Sequence, residues 1–314
     1  MADLAIPERP NLRSPRMVLG FTGWMDGGHV STGTVRYLKE TLAASDFASI
    51  APSDFYILHF PVATIPVSVY SAPGKAVVAS VNPMEFAAVF RPHTRIREGL
   101  VEELTYPRNE FSCAEPADLI LFLGEEPHIR WGAYCDCVFR IAREFSVSEL
   151  YFVGSVAGPV PHTRAPRVRA SVSSADLKGR LEVTGVRFTE YEGPASIVTA
   201  LCHRAAAEGI PMSSLVLEIP HYPFLEMPTY PPSIFRAAQL LDELFGLALD
   251  LSDLSDAADA ARAKLNDLLE GNAEFRQLVR ELEAAYDREE DSADEELLRR
   301  LMEGIDLDGG NGQH

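Results

Sequence analysis

Short, nearly continuous apolar runs alternate with amphipathic stretches along the first two thirds of the chain. The runs Met17–Phe21, Phe55–Phe60, Ala76–Val81, Leu119–Gly124, Leu150–Gly154 and Leu215–Ile219 have strand length and little polar alternation, which predicts a sheet covered on both faces. Helical spacing predicts helices over His29–Leu42, Trp131–Phe145 and Pro194–Glu208. In the last of these, Ile197, Leu201 and Ala205 recur on one side and Gly209 stands where a left-handed cap would end it. Strands interleaved with helices predict an α/β fold, a three-layer sandwich around a mostly parallel sheet. Arg95–Phe111 and Arg167–Phe188 read as β-ribbons or edge strands instead.

From Ser233 onward the pattern changes period and offers no further strand. Helices are predicted at Ser233–Phe245, Ser255–Leu269, Glu274–Arg288 and Asp294–Met302. Phe275, Leu278, Val279, Leu282 and Tyr286 form an apolar stripe at 3–4 spacing opposite charged residues. The expected organisation is an α/β core over 1–245, an acidic helical subdomain over 246–305 and a disordered tail over 306–314. Residues 242–314 carry 21 acids against 7 bases, so −14 of the net −18 resides there. A nearly neutral body with an acidic extension argues against a nucleic-acid-binding surface, which needs a basic face to neutralise phosphates, and no nucleic-acid partner is expected.

Met1–Arg16 carries acids, bases and three prolines before any apolar run, unlike a secretory signal peptide. No apolar stretch is long enough to cross a bilayer, so no membrane partner is expected. Cys113, Cys135, Cys137 and Cys202 do not form a disulfide framework, and Cys135 and Cys137 point to different faces of one helix. A cytoplasmic location is expected.

In a parallel sheet, the segments that follow the strands gather at its carboxyl edge, where such sheets bind ligands. Here those segments are chemically rich. Gly20-Phe21-Thr22-Gly23-Trp24-Met25-Asp26-Gly27-Gly28-His29 follows the first run. Gly124-Glu125-Glu126-Pro127-His128 follows Leu119–Leu123, Pro161-His162-Thr163-Arg164 closes the loop after Leu150–Val153, and Pro220-His221-Tyr222-Pro223 follows Leu215–Ile219. Phe90-Arg91-Pro92 and Tyr191-Glu192-Gly193-Pro194 join neighbouring elements to the same body, and His59 also falls at a strand end.

The acid/base candidates are His162, His221, Glu125 and Asp26. Gly23, Trp24, Gly27, Gly28, His29, Arg91, Glu126, Thr163, Arg164, Tyr191 and Tyr222 are candidates for holding a ligand. In that role His162 or His221 would move a proton, Glu125 or Asp26 would orient it, and Arg164 or Arg91 would clamp an anion. Each residue also has a structural reading. Asp26 reads first as a cap of the helix at His29, Trp24 first as a buried anchor, Glu125 or Glu126 as a helix cap or a partner of Arg130, and His221 as a packed histidine between prolines. Gly154-Ser155-Val156-Ala157-Gly158 is not a nucleophile elbow, because its serine comes one place early. Zinc-protease, phosphate-loop and dinucleotide signatures are missing, and no segment has metal-ligand spacing; neither cofactor nor metal is expected.

Six of these segments, in this order, resemble the proteasome assembly chaperone 2 family in its bacterial and archaeal branch: Gly20–His29, Arg91-Pro92, Gly124–Pro127 with Trp131, Pro161–Arg164, Tyr191–Pro194 and Pro220–Tyr222. The acidic helical extension resembles the version common in actinobacteria. The resemblance implies a phosphorylase/hydrolase-like α/β fold with a C-terminal helical extension. It also implies a non-enzymatic protein-binding or assembly role, since eukaryotic relatives pair with a second chaperone to assemble the proteasome α-ring. The partner expectation is another protein or self-association into a homo-oligomer, a trimer being one form. The alternative is a small-molecule-binding protein, or a hydrolase/phosphorylase-like enzyme, using the carboxyl-edge pocket.

Overall fold

The computed structural model describes residues 4–58, 69–72, 75–78, 91–222 and 228–289. Its strands are β1 (Leu4–Ala5), β2 (Arg16–Thr22), β3 (Ser45–Ile50), β4 (Val69–Ala72), β5 (Lys75–Val78), β6 (His93–Arg97), β7 (Leu100–Thr105), β8 (Glu110–Ala114), β9 (Leu119–Glu125), β10 (Glu149–Gly158), β11 (Val168–Val172), β12 (Arg187–Phe188) and β13 (Met212–Pro220). The helices are α1 (Val30–Thr41), α2 (Trp131–Glu144), α3 (Ala175–Glu182), α4 (Ile197–Glu208), α5 (Pro231–Phe245), α6 (Ser252–Gly271) and α7 (residues 273–289).

Nine strands form one sheet in the order β1-β3-β8-β9-β2-β10-β13-β11-β12. The four most apolar runs, β9, β2, β10 and β13, lie side by side and parallel at its centre. Antiparallel pairings extend the sheet through β8, β3 and β1 on one side and β11 on the other. The central strands lack polar alternation because both faces are buried. Along β2, Met17, Leu19 and Phe21 enter one core while Val18 enters the other. The first core packs against α2 and α4 through Tyr134, Val138, Ile141, Ile197 and Leu201. The second gathers Val35 and Leu38 of α1, Ile234 and Leu241 of α5, Leu265 of α6, and Phe275 and Val279 of α7. Each fully buried aliphatic or aromatic side chain contributes about 1.5–3 kcal/mol, so α6 and α7 are tied to the sheet through its own core.

Several predicted elements are corrected. Phe55–Leu58 is not a strand: a 3-10 turn at Pro52–Asp54 leads into it, and Phe55 and Tyr56 bury their rings from irregular backbone. Its last two residues, 59 and 60, lie outside the described residues. The run Ala76–Val81 supplies β5, which pairs with β4 in a separate ribbon, and residues 79–81 are outside the description. Arg167–Phe188 holds strands β11 and β12 but also the helix α3. Ser174 caps that helix, its Oγ accepting the Leu177 N–H at 3.4 Å. The helix predicted at Asp294–Met302 and the tail over 306–314 lie outside the described residues. No described helix is long and apolar enough to span a membrane.

Candidate functional site

The strand ends do gather at one edge, where their loops divide into separate hydrogen-bonded clusters. In the loop after β2, Asp26 accepts both the N–H of Thr32 (3.0 Å) and its hydroxyl (2.9 Å) in the first turn of α1. The His29 ring stands 3.3 Å from the same carboxylate and is exposed. Ser155 of β10 donates its hydroxyl to the Gly27 carbonyl at 2.5 Å. Gly28 has φ +57°, and a Cβ there would meet the Tyr230 Cβ at 2.8 Å. The glycines therefore seat the loop against the body. Trp24, which the composition of the loop predicts as a buried anchor, is instead 76% exposed.

Glu126 joins this loop to a distant one. One carboxylate oxygen accepts the Trp24 N–H (3.3 Å) and the other the Ile197 N–H at the start of α4 (3.0 Å). Tyr191, in the segment leading to α4, is 69% exposed and donates its hydroxyl to the Pro194 carbonyl. Gly23, at φ +119°, lies against Glu126, whose Cβ is 3.1 Å from where a glycine Cβ would stand.

The second cluster lies beneath α6 and α7. His162 is fully buried, with Nδ1 2.6 Å from the Tyr222 hydroxyl and Nε2 3.2 Å from Asn266 Oδ1. An amide oxygen only accepts, so Nε2 carries the proton and Nδ1 accepts from Tyr222. The Tyr222 oxygen in turn accepts the His162 backbone N–H at 2.9 Å. Burial lowers the His162 pKa and raises the Tyr222 hydroxyl to about 12, so both stay neutral near pH 7. Thr163 donates to Glu283 (2.6 Å), and Arg164 grips Asp287 with two bonds of 2.8 Å. His221 is exposed and held by its backbone N–H on the Gly158 carbonyl.

The third group surrounds a cavity of about 500 Å³ whose wall includes Arg36, Arg91, Arg108, Glu110, Glu125 and His128. The end of β9 is pinned there. The Glu125 N–H donates to Asn109 Oδ1 (3.0 Å), and its carbonyl accepts the hydroxyls of Tyr56 (2.7 Å) and Tyr134 (3.4 Å). Burial raises the Glu125 carboxyl above its ordinary range and lowers the His128 ring. Arg36 is steadied by Thr32, whose hydroxyl oxygen accepts from it at 3.2 Å; Asp26 thus acts on the cavity through Thr32.

The candidates brought together are therefore Arg91 with Glu125, Trp24 and Gly23 with Glu126, and His162, Thr163 and Arg164 with Tyr222. No hydrogen bond among the described residues joins His162 or His221 to Glu125 or Asp26. No group of three or more metal-binding side chains occurs among the described residues; His59 lies outside them. Sequence reasoning did not find Arg36, which sits one helical turn after Thr32, or Arg108, whose signal is only its place in Pro107-Arg108-Asn109 before β8.

A sequence model of the PAC2 family matches residues 20–269, taking in the loops just described. Among solved structures, a PAC2 family protein from Streptomyces avermitilis is 25% identical with TM-score 0.65, over 85% of this chain and 100% of its own. The Mycobacterium tuberculosis unknown function protein Rv2714 superposes with TM-score 0.74 at 21% identity, over 95% of this chain and 92% of its own. The Mycobacterium tuberculosis proteasome-assembly chaperone homologue Rv2125 gives TM-score 0.67 at 22% identity, over 84% and 99%. No curated protein matches the chain.

Proposed function

The chain belongs to the PAC2 family, and from that premise we propose that it is a non-enzymatic protein-binding or assembly factor that docks its partner on the carboxyl edge of the sheet. The observation that carries this reading is the pair of aromatic side chains left in water there, Trp24 at 76% and Tyr191 at 69% exposure. Tryptophan and tyrosine dominate the energetics of protein interfaces. Glu126 fastens the backbone at Trp24 and at Ile197, and the Tyr191 hydroxyl is held on the Pro194 carbonyl, so less order has to be imposed on binding.

The acid/base candidates support the same reading. Asp26 caps α1 and His162 is held neutral between Tyr222 and Asn266. In this proposal residues 1–245 form the docking core and the acidic helices from 246 buttress it. The protein self-associates as a homo-oligomer, a trimer being the expected form, and works in the cytoplasm. Two Pyrococcus furiosus proteins with related folds are an archaeal proteasome activator and an archaeal homolog of proteasome-assembly chaperone, which makes proteasome subunits the first partner to try.

Surface plasmon resonance with purified proteasome α-type subunits tests the proposal. Wild type should bind, and Trp24→Ala or Tyr191→Ala should weaken binding by about 2 kcal/mol, roughly thirtyfold, with an unchanged melting curve. Absence of wild-type binding, or undiminished binding by both variants, refutes it.

A further inference from the structure

In a chain with 46 acids and 28 bases, arginines find carboxylates easily. Arg143, Arg164, Arg167, Arg169, Arg180 and Arg204 each do. Arg36, Arg91 and Arg108 form no ion pair with any described residue, and all three line the 500 Å³ cavity. Two carboxylates share that wall, Glu110 and Glu125, and neither is bonded to these arginines. Three arginines and two glutamates on one wall make it net positive within a protein of net charge −18, and such a wall attracts an anion.

We propose that this cavity binds a small phosphate monoester, its phosphate held by Arg36, Arg91 and Arg108 and its hydroxyl-bearing body by Glu110 and Glu125. A phosphate dianion presents three terminal oxygens to several planar donor forks at once, whereas a carboxylate is satisfied by one bidentate arginine. The volume lies in the range of small-molecule sites and exceeds what a bare phosphate fills, which calls for an organic body. Acceptor carboxylates beside the arginines suit hydroxyl groups, as a sugar phosphate carries. Two parts of the wall are already set: Asp26 orders Thr32, which steadies Arg36, and Asn109 with two tyrosines fixes the backbone at Glu125. Neither Trp24 nor Tyr191 lines the cavity, so this inference and the docking proposal stand or fall separately.

Isothermal titration calorimetry on the intact chain, with ribose 5-phosphate, inorganic phosphate and ribose as probes, tests it. Ribose 5-phosphate should bind saturably, inorganic phosphate more weakly and ribose not at all. Arg36→Gln, Arg91→Gln and Arg108→Gln should each weaken ribose 5-phosphate roughly tenfold or more, with circular dichroism unchanged. Arg204→Gln, outside the cavity, should leave binding intact. Failure of ribose 5-phosphate to bind at millimolar concentration, equal binding of ribose, undiminished binding by the three cavity variants, or an equal loss of binding in Arg204→Gln would each overturn the proposal.

Discussion

Two sets of arginines in this protein have opposite fates. Arg164, Arg167, Arg169 and Arg187 face α7, and each is met by a carboxylate from it. Arg167 is the most committed: its side chain is 6% exposed, its guanidinium lies 3.8 Å from the Tyr286 ring centre, and it donates to Glu289 (2.7 Å) and the Tyr286 carbonyl (2.8 Å). Arg36, Arg91 and Arg108, at the carboxyl edge, form no ion pair with any described residue, and Arg36 donates to the Thr32 hydroxyl instead. The contrast separates two uses of one residue type. Where α7 supplies an acid, arginine fastens a helix to a sheet; where the described residues supply none, arginine is what the proposed anion would meet.

The largest expected effect tests the closed side. Phe275→Ala empties a side chain 1% exposed that packs on the rings of His162 and Tyr222. It should cost about 3–5 kcal/mol in urea unfolding, and a cost near zero would mean that α7 does not hold the region. Arg167→Ala should follow at about 3 kcal/mol, because it removes a buried guanidinium stacked on Tyr286 and bonded to Glu289 and the Tyr286 carbonyl.

The pH profile comes next. His162 has its pKa lowered by burial, so the unfolded chain takes up the proton first as pH falls below 6.5. Stability should therefore decline from there down to the folded pKa, His162 contributing a slope of at most about 1.4 kcal/mol per pH unit and His128, lowered by burial too, adding to it. His162→Gln should make that segment shallower in pH-dependent melting. A second decline should come in the acid range, below the ordinary glutamate value of 4.5. Burial opposes the ionised Glu289, but Arg169 and Arg167 prevail and hold its carboxyl below that value. The hydrogen bond from Arg164 does the same for Asp287.

The smallest effect belongs to the open side. Arg36→Gln, Arg91→Gln and Arg108→Gln should each change stability by no more than about 0.5 kcal/mol. If Arg108→Gln destabilised the protein as much as Arg167→Ala, the division into closed and open sets would collapse.

Legibility in the sequence tracks how far apart the interacting residues are. β2, β9, β10 and β13 could be read because strands buried on both faces need continuous apolar runs. β3 was missed because its exposed Ser45, Asp46 and Ser49 interrupt the pattern. α3 was missed because a short helix burying only Leu177 and Leu181 carries little periodicity. For the candidate site, the edge and its loops were legible from strand order. Their division into clusters was not, since it depends on pairs such as Arg164 with Asp287 or Glu126 with Trp24, more than a hundred residues apart. Trp24 was misjudged for a similar reason: burial depends on what packs over a loop, and the composition of the loop does not show it.

The position of β2 also governs how the molecule can be made. This strand ends at Thr22, yet its neighbours β9 and β10 end at Glu125 and Gly158. At about 5–20 residues per second of synthesis, Met17, Val18, Leu19 and Phe21 leave the ribosome roughly five to twenty seconds before the first strand that can pair with them. For that interval a strand whose Met17, Val18 and Leu19 are fully buried in the finished sheet is an unshielded apolar segment of the nascent chain. The protein would, on this account, have a need for holdase protection early in its own synthesis.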